Sequence, residues 1–135
     1  MKINCCRGKT VFTNGCFDIL HIGHIKLLEF CKQQGDFVIV GLNSDESVKR
    51  LKGDKRPINN QQDRLNILKS IKYVDEVVIF NEDTPYDLIK LIKPDIIIKG
   101  GDYKIEKVIG NDLAEVRIFD YIDGISTTNI LEKIG

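Results

Sequence analysis

Five short stretches of the chain are apolar without alternation: TVFTN at 10–14, FVIVGL at 37–42, EVVIF at 76–80, DIIIK at 95–99 and EVRIF at 115–119. β-Branched and aromatic side chains dominate them, and each is bounded by polar, Gly or Pro residues, which predicts buried strands. Between them the apolar positions recur at helical spacing. Ile25, Leu27, Leu28, Phe30 and Cys31 predict a helix over 22–34 with Gly35 as its stop. Asn43-Ser44-Asp45 offers caps for a short helix over 45–51, and Leu65, Ile67 and Leu68 mark another over 61–70. Thr84-Pro85 predicts a cap and first turn for a helix ending near Ile92, before Pro94. Ser126-Thr127-Thr128 opens a last helix over 129–134. Residues 52–60 (KGDKRPINN) are polar, hold Gly53 and Pro57, and are expected to form a mobile basic loop.

Strand and helix therefore alternate five times. Strands that are apolar on both faces belong to a parallel sheet covered by helices on both sides. Right-handed crossovers then give an α/β, Rossmann-like, doubly wound five-stranded parallel sheet, expected as one domain over 1–135. The 135 residues suffice for a core without disulfides or a structural metal.

Charge narrows the function classes. Lys+Arg and Asp+Glu each number 20, a balance that argues against a general nucleic-acid coat or a polybasic membrane binder. Cys5, Cys6, Cys16 and Cys31 form no C-x-x-C pair and fit reduced thiols in a cytoplasmic protein. Cys16 with His21 and His24 lacks a fourth ligand at sensible spacing, so no metal site is expected there. No signal-peptide core and no run approaching the ~20 apolar residues of a membrane span is present.

In a doubly wound sheet, ligands bind beyond the carboxyl ends of the strands, where strand order reverses. The residues following the strands are polar, small and Gly-rich: Asn14 to His24, Asn43-Ser44-Asp45, Gly100-Gly101-Asp102-Tyr103, and Asp123 to Thr128. His21 and His24 stand one turn apart on one helix face, and Gly23 between them lets a ligand approach the backbone. A helix start adds N–H groups and partial positive charge, and with the two imidazoles is expected to form a cationic cradle suited to phosphate groups. Neither G-x-x-x-x-G-K-[ST] nor G-x-G-x-x-G occurs, so the ATPase loop and the dinucleotide fingerprint are both excluded.

The stretch Asn14-Gly15-Cys16-Phe17-Asp18-Ile19-Leu20-His21-Ile22-Gly23-His24 resembles the signature of the HxGH nucleotidyltransferases, in their cytidylyltransferase-like group. Ile125-Ser126-Thr127-Thr128-Asn129-Ile130 resembles that group's second signature, and the likeness runs from Val11 to Ile134. Two subfamilies compete. Glycerol-3-phosphate cytidylyltransferases share the stretch from Asp18 to Glu29. The adenylyltransferase domain of bacterial ADP-heptose synthases is closer at Phe12 to Asp18, Val48 to Gly53, Arg56-Pro57, Glu82 to Pro85, Lys99 to Tyr103 and Asp123-Gly124. Tyr121 stands where the glycerol-phosphate enzymes carry an arginine, which favours the heptose subfamily. That domain is often fused behind a sugar kinase, so the chain is expected to be a stand-alone version or a cut-out domain.

The resemblance implies AMP transfer from ATP to a sugar 1-phosphate, with Mg²⁺ on the triphosphate and pyrophosphate leaving. It assigns His21, His24 and Lys52 to catalysis. Thr13, Asn14, Gly15, Cys16, Phe17, Gly23, Gly100, Gly101, Asp102, Tyr103, Ser126, Thr127 and Thr128 would bind nucleotide. Asp18, Lys49, Arg56 and Arg64 would serve the substrate side, with Lys49, Lys52 and Arg56 on a loop able to close as a lid. For Arg64 the plainer expectation is a surface ion pair with Asp63 or Asp54. The family commonly self-associates, and a homodimer is expected. A phosphatase or kinase would need an aspartyl nucleophile or a phosphate loop. A non-catalytic nucleotide-binding module would bind ATP without turnover.

Overall fold

A computed structural model describes residues 8–101 and 103–120. Asp102, Cys5, Cys6, Tyr121, the Ser126-Thr127-Thr128 run and the expected last helix lie outside the described residues. Five strands, β1 (Thr10–Gly15), β2 (Phe37–Asn43), β3 (Glu76–Phe80), β4 (Ile96–Gly100) and β5 (Glu115–Phe119), form one parallel sheet in the order β3-β2-β1-β4-β5. The helices are α1 (Ile22–Gln34), α2 (Asp45–Lys52), α3 (Gln61–Lys69) and α4 (Tyr86–Ile92). A single 3-10 turn at Ile105–Lys107, absent from the sequence expectation, precedes β5.

Successive strand residues point to opposite faces, and both faces are dry. Val11, Val38, Val40, Ile96 and Ile98 pack under Leu27, Leu28 and Cys31 of α1 and Leu68 of α3. Phe12, Ile39 and Ile97 pack on the other side under Leu88, Ile89 and Ile92 of α4. This is why the strands are apolar throughout. Gly41 of β2 lies against Phe12, where an added Cβ would stand 2.7 Å from Phe12 Cζ.

Strand order reverses between β1 and β4, and their pairing is short. Only Val11 with Ile96 and Phe12 with Ile97 are partnered, whereas β1 pairs with β2 along its whole length from Thr10 to Gly15. Beyond Phe12 and Ile97 the two strands part, and the gap opens toward their carboxyl ends.

Local differences from the sequence expectation have local causes. Pro85 is the N-cap of α4, and Thr84 Oγ1 comes only to 3.5 Å from Tyr86 N. Lys49 and Lys52, expected on the basic loop, belong to the last turn of α2, which Gly53 ends at φ 103°. The remaining loop is tethered rather than free. The Asp18 carboxylate accepts from Arg56 Nε and from the N–H groups of Ile58 and Asn59, each at 2.8 Å.

Candidate active site

The gap between β1 and β4 is a cavity of about 510 Å³. Asn14, Gly15, Cys16 and Phe17 form its floor from β1, His24 contributes from α1, and Lys99, Gly100, Gly101 and Tyr103 line the β4 side. Lys52 from the end of α2 and Arg56 from the loop that follows close it. Strand ends that diverge thus bring together four separate segments of the chain.

The start of α1 is built by its two histidines. His21 is the N-cap, and its Nδ1 accepts from Gly23 N at 3.0 Å. His24 Nδ1 accepts in return from His21 N at 3.1 Å, completing a capping box with imidazoles in place of the usual hydroxyl and carboxylate. A nitrogen that accepts carries no proton, so each neutral ring keeps its proton on Nε2. The rings lie against each other at 4.0 Å between centroids and 40° between planes. Burial, then the charges of His21 and Lys52, push His24 down to about 4, and burial also lowers His21.

This corrects two expectations. The pair forms neutral Nε2–H donors in the free protein, not a cationic cradle. The helix start does not offer a row of open N–H groups either. Gly23 N–H is taken by His21 Nδ1 and His24 N–H by His21 O at 3.0 Å, so Gly23, which is buried, serves the cap. What remains for a ligand is the helix dipole and the Nε2–H of a cavity-lining ring.

Phe17 holds a left-handed conformation at φ 46°, uncommon for a residue with a side chain. It turns its ring inward beside His24, at 5.5 Å between centroids, and over Gly15, where a Cβ would stand 3.1 Å from Phe17 Cε2. Asp18 follows with its side chain 1% exposed. Burial pushes its carboxyl up, but hydrogen bonds from Asn59, Ile58 and Arg56 outweigh this and hold it below the usual carboxylate range. It organises the turn and anchors the loop, and Arg56 Nη2 is left buried without a hydrogen-bond partner at the cavity wall.

Arg64 stands elsewhere than either expectation placed it. It is 1% exposed and pairs with neither Asp63 nor Asp54. Its guanidinium donates to Asn59 O, Cys16 O, Asn43 O and Asp45 Oδ1 at 2.8–2.9 Å, joining the ends of β1 and β2 to α2 and the tethered loop. It is a buried strut and lines none of the cavities described here. Thr13 is 1% exposed inside the sheet and is not among the residues lining the cavity at the β1–β4 gap. Lys49 is exposed and lies beside Pro57 at a separate recess, away from the β1–β4 gap.

The sequence reading passed over Lys99 as a site residue. It is the polar residue that interrupts the apolar run of β4 at its carboxyl end, and that interruption was the available signal. Its Nζ lies 4.9 Å from the Tyr103 ring centroid, and burial lowers its pKa. Cys16 beside it is a free thiol whose pKa burial raises, so it is a poor nucleophile. Among the described residues no group of three or more His, Cys, Asp or Glu could hold a metal ion, and no helix is long and apolar enough to cross a membrane.

Residues 12–133 match the family described as cytidylyltransferase-like. The chain is 63% identical over 130 residues to the bifunctional protein HldE of Nitratiruptor sp. and 60% identical over 129 residues to that of Campylobacter fetus, covering 95% and 94% of this chain. It spans 28% of the length of each of these curated relatives. Among solved structures, the lipopolysaccharide core biosynthesis protein from Thermoplasma volcanium is similar at a TM-score of 0.70 and 31% identity, over 86% of this chain and 98% of that one. A pantothenate synthetase from Thermus thermophilus shares the fold at a TM-score of 0.65 and 18% identity, over 90% of this chain and 61% of that one.

Proposed function

The chain belongs to the cytidylyltransferase-like family, and we propose that it transfers AMP from ATP to a sugar 1-phosphate, heptose 1-phosphate first among them, releasing pyrophosphate. The observation that carries this is the cavity at the β1–β4 gap. It joins an Nε2–H donor at a helix start to two lysines and an arginine with an unpartnered nitrogen. The likeness to the HldE proteins supports the ATP and heptose choice over a CTP-dependent glycerol 3-phosphate reaction.

The acceptor's phosphate oxygen is already an anion, so no general base is needed. It attacks the α-phosphorus in line, and the bond from that phosphorus to the bridging oxygen breaks, leaving pyrophosphate with the electron pair. The protein positions the two substrates and stabilises charge on the transferring and leaving groups. His24 donates from Nε2 to a phosphate oxygen, with His21 fixing its tautomer and ring. Lys52 and the open Nη2 of Arg56 neutralise the triphosphate, and Gly100, Gly101 and Tyr103 flank base and ribose. Asp18 serves by holding Arg56 and the loop in place.

Mg²⁺ accompanies the triphosphate in this reading. Asp18 is the only carboxylate lining the cavity among the described residues, and its oxygens already accept three hydrogen bonds. The described lining of this cavity thus presents no open carboxylate for the metal, which would sit on phosphate oxygens and water. A homodimer in the cytoplasm completes the reading.

The test is pyrophosphate release for each of the four nucleoside triphosphates against heptose 1-phosphate, a hexose 1-phosphate and glycerol 3-phosphate. Turnover confined to ATP with a sugar 1-phosphate supports the proposal. CTP with glycerol 3-phosphate would replace it with the other subfamily's reaction, and ATP binding without turnover would replace it with a binding module.

A further inference from the structure

Lys52 reaches the cavity from the last turn of α2, and little in that turn itself holds it in place. The buried residues of α2 are Ser47 and Val48, whereas Lys49, Arg50, Leu51 and Lys52 are all exposed. The first turn is bound to the end of β3 and the residues after it. Ser44 N donates to Phe80 O at 2.9 Å, Ser44 Oγ to Asn81 Oδ1 at 2.6 Å, and Ser47 Oγ to Glu82 O at 3.0 Å. Among the described residues, the side-chain hydrogen bonds that tie the last turn to the rest of the chain all come from Arg50. Its Nε donates to Asp83 Oδ1 at 2.9 Å and its Nη2 to Asn81 O.

Ser47 and Arg50 are one turn apart and share the helix face that meets residues 81–83. Lys52 follows Arg50 by two residues, a rotation of ~200°, and leaves the helix on the opposite side, at the β1–β4 gap. Among the described residues no Asp or Glu forms a salt bridge with Lys52. An ammonium on a long side chain without a partner goes where its backbone aims it. Beyond Lys52, Gly53 ends the helix and Arg56 is held by Asp18 at 2.8 Å. Lys52 thus stands between two anchors, Arg56 on the loop side and Arg50 on the helix side. Arg50 is not among the residues lining the cavity. Its pair with Asp83 is open to solvent, with side chains 44% and 66% exposed, so it contributes little to stability. What it fixes is the place of a helix end.

We propose that Arg50 is a positioning residue for nucleotidyl transfer: by holding the last turn of α2 against Asn81 and Asp83, it sets where the Lys52 ammonium meets the triphosphate. This rests on the nucleotidyl-transfer reading above. Charge that builds on the transferring and leaving phosphates is stabilised best by a cation already in place, and a displacement of ~1 Å costs up to ~100-fold in rate. Arg50 acts through Lys52 and touches neither substrate.

The test compares the unaltered chain with Arg50→Met, Arg50→Lys, Lys52→Met and the double variant that carries Arg50→Met with Lys52→Met. The rate of pyrophosphate release from ATP with heptose 1-phosphate is read in single turnovers with enzyme in excess, which keeps slow variants measurable, and urea unfolding gives stability. Arg50→Met is expected to slow release about tenfold while its urea midpoint stays close to the unaltered value. Arg50→Lys keeps the charge without the planar fork and is expected to recover part of the loss. Lys52→Met is expected to slow release more than Arg50→Met does. In the Lys52→Met background, adding Arg50→Met is expected to change the rate by less than twofold, because no ammonium remains to be placed. A role in the fold at large would cost the same factor in both backgrounds, and that result overturns the proposal. Release by Arg50→Met within twofold of the unaltered rate overturns it as well, and either result leaves nucleotidyl transfer standing. An unaltered chain that binds ATP and releases pyrophosphate with no phosphorylated acceptor overturns both.

Discussion

His21 and His24 cap one helix for each other. The Nδ1 of each accepts a backbone N–H of the same turn, at 3.0 and 3.1 Å, and the rings meet at 4.0 Å between centroids. Neither imidazole can leave its tautomer without giving up a cap, so Nε2–H is the face each ring offers to a ligand.

The first prediction follows from the charge state. His24 has its pKa lowered to about 4 from an ordinary 6.5. Between those values the unfolded chain binds a proton the folded chain does not, so stability falls as pH drops through that window and the loss is complete below about 4. Denaturant unfolding from pH 7 to pH 4 is expected to show this slope, and His24→Asn to show less of it. Histidine NMR signals should place His24 neutral at pH 6 without nucleotide.

Asp18 carries a second prediction. Its folded pKa lies below the usual range, so its contribution to stability is present above pH ~4 and is lost as pH falls through the folded value. Asp18→Asn keeps the size and removes the charge that holds Arg56. Limited proteolysis is expected to cut within 53–60 faster than in the unaltered chain, and ATP KM to rise several-fold with the fold retained.

Arg64 separates a structural role from a phosphate ligand. Removing its guanidinium leaves three carbonyls and the Asp45 carboxylate short of donors. Arg64→Met is expected to cost ~2–4 kcal/mol in urea unfolding. A variant of unchanged stability with a raised substrate KM would return Arg64 to the substrate.

Gly41 tests the packing behind the site. Gly41→Ala drives a methyl to 2.7 Å from Phe12 Cζ in a buried strand, and the expected loss is ~1–3 kcal/mol. Thermal unfolding measures it, and a neutral result would show that Phe12 has room to move.

The strands were legible because burial on both faces leaves few polar residues to obscure them. β3 and β5 fall at the expected bounds, and α1 does so because its apolar stripe and Gly35 mark it. The cavity's floor was legible in Asn14 to Phe17, whose order is that of a strand running into a turn. Long-range partnerships were not legible. Nothing local in Asp18 announces that it will meet residues 38 to 41 positions away, nor in Arg64 that it will be drawn under the sheet's edge. Lys99 was obscured because a lysine ending a strand also fits a solvent-facing end. The neutrality of the histidines needed the cap geometry, since spacing alone gives proximity without tautomer.

The most direct measurement uses ATP labelled on the α-phosphorus in one experiment and on the γ-phosphorus in another, with heptose 1-phosphate, in the unaltered chain and in His24→Ala. The account predicts the α label in a sugar nucleotide, the γ label in pyrophosphate, and a loss of at least a hundredfold in kcat for His24→Ala with its fold intact. Label appearing in inorganic phosphate, or a His24→Ala variant as fast as the unaltered chain, would contradict it.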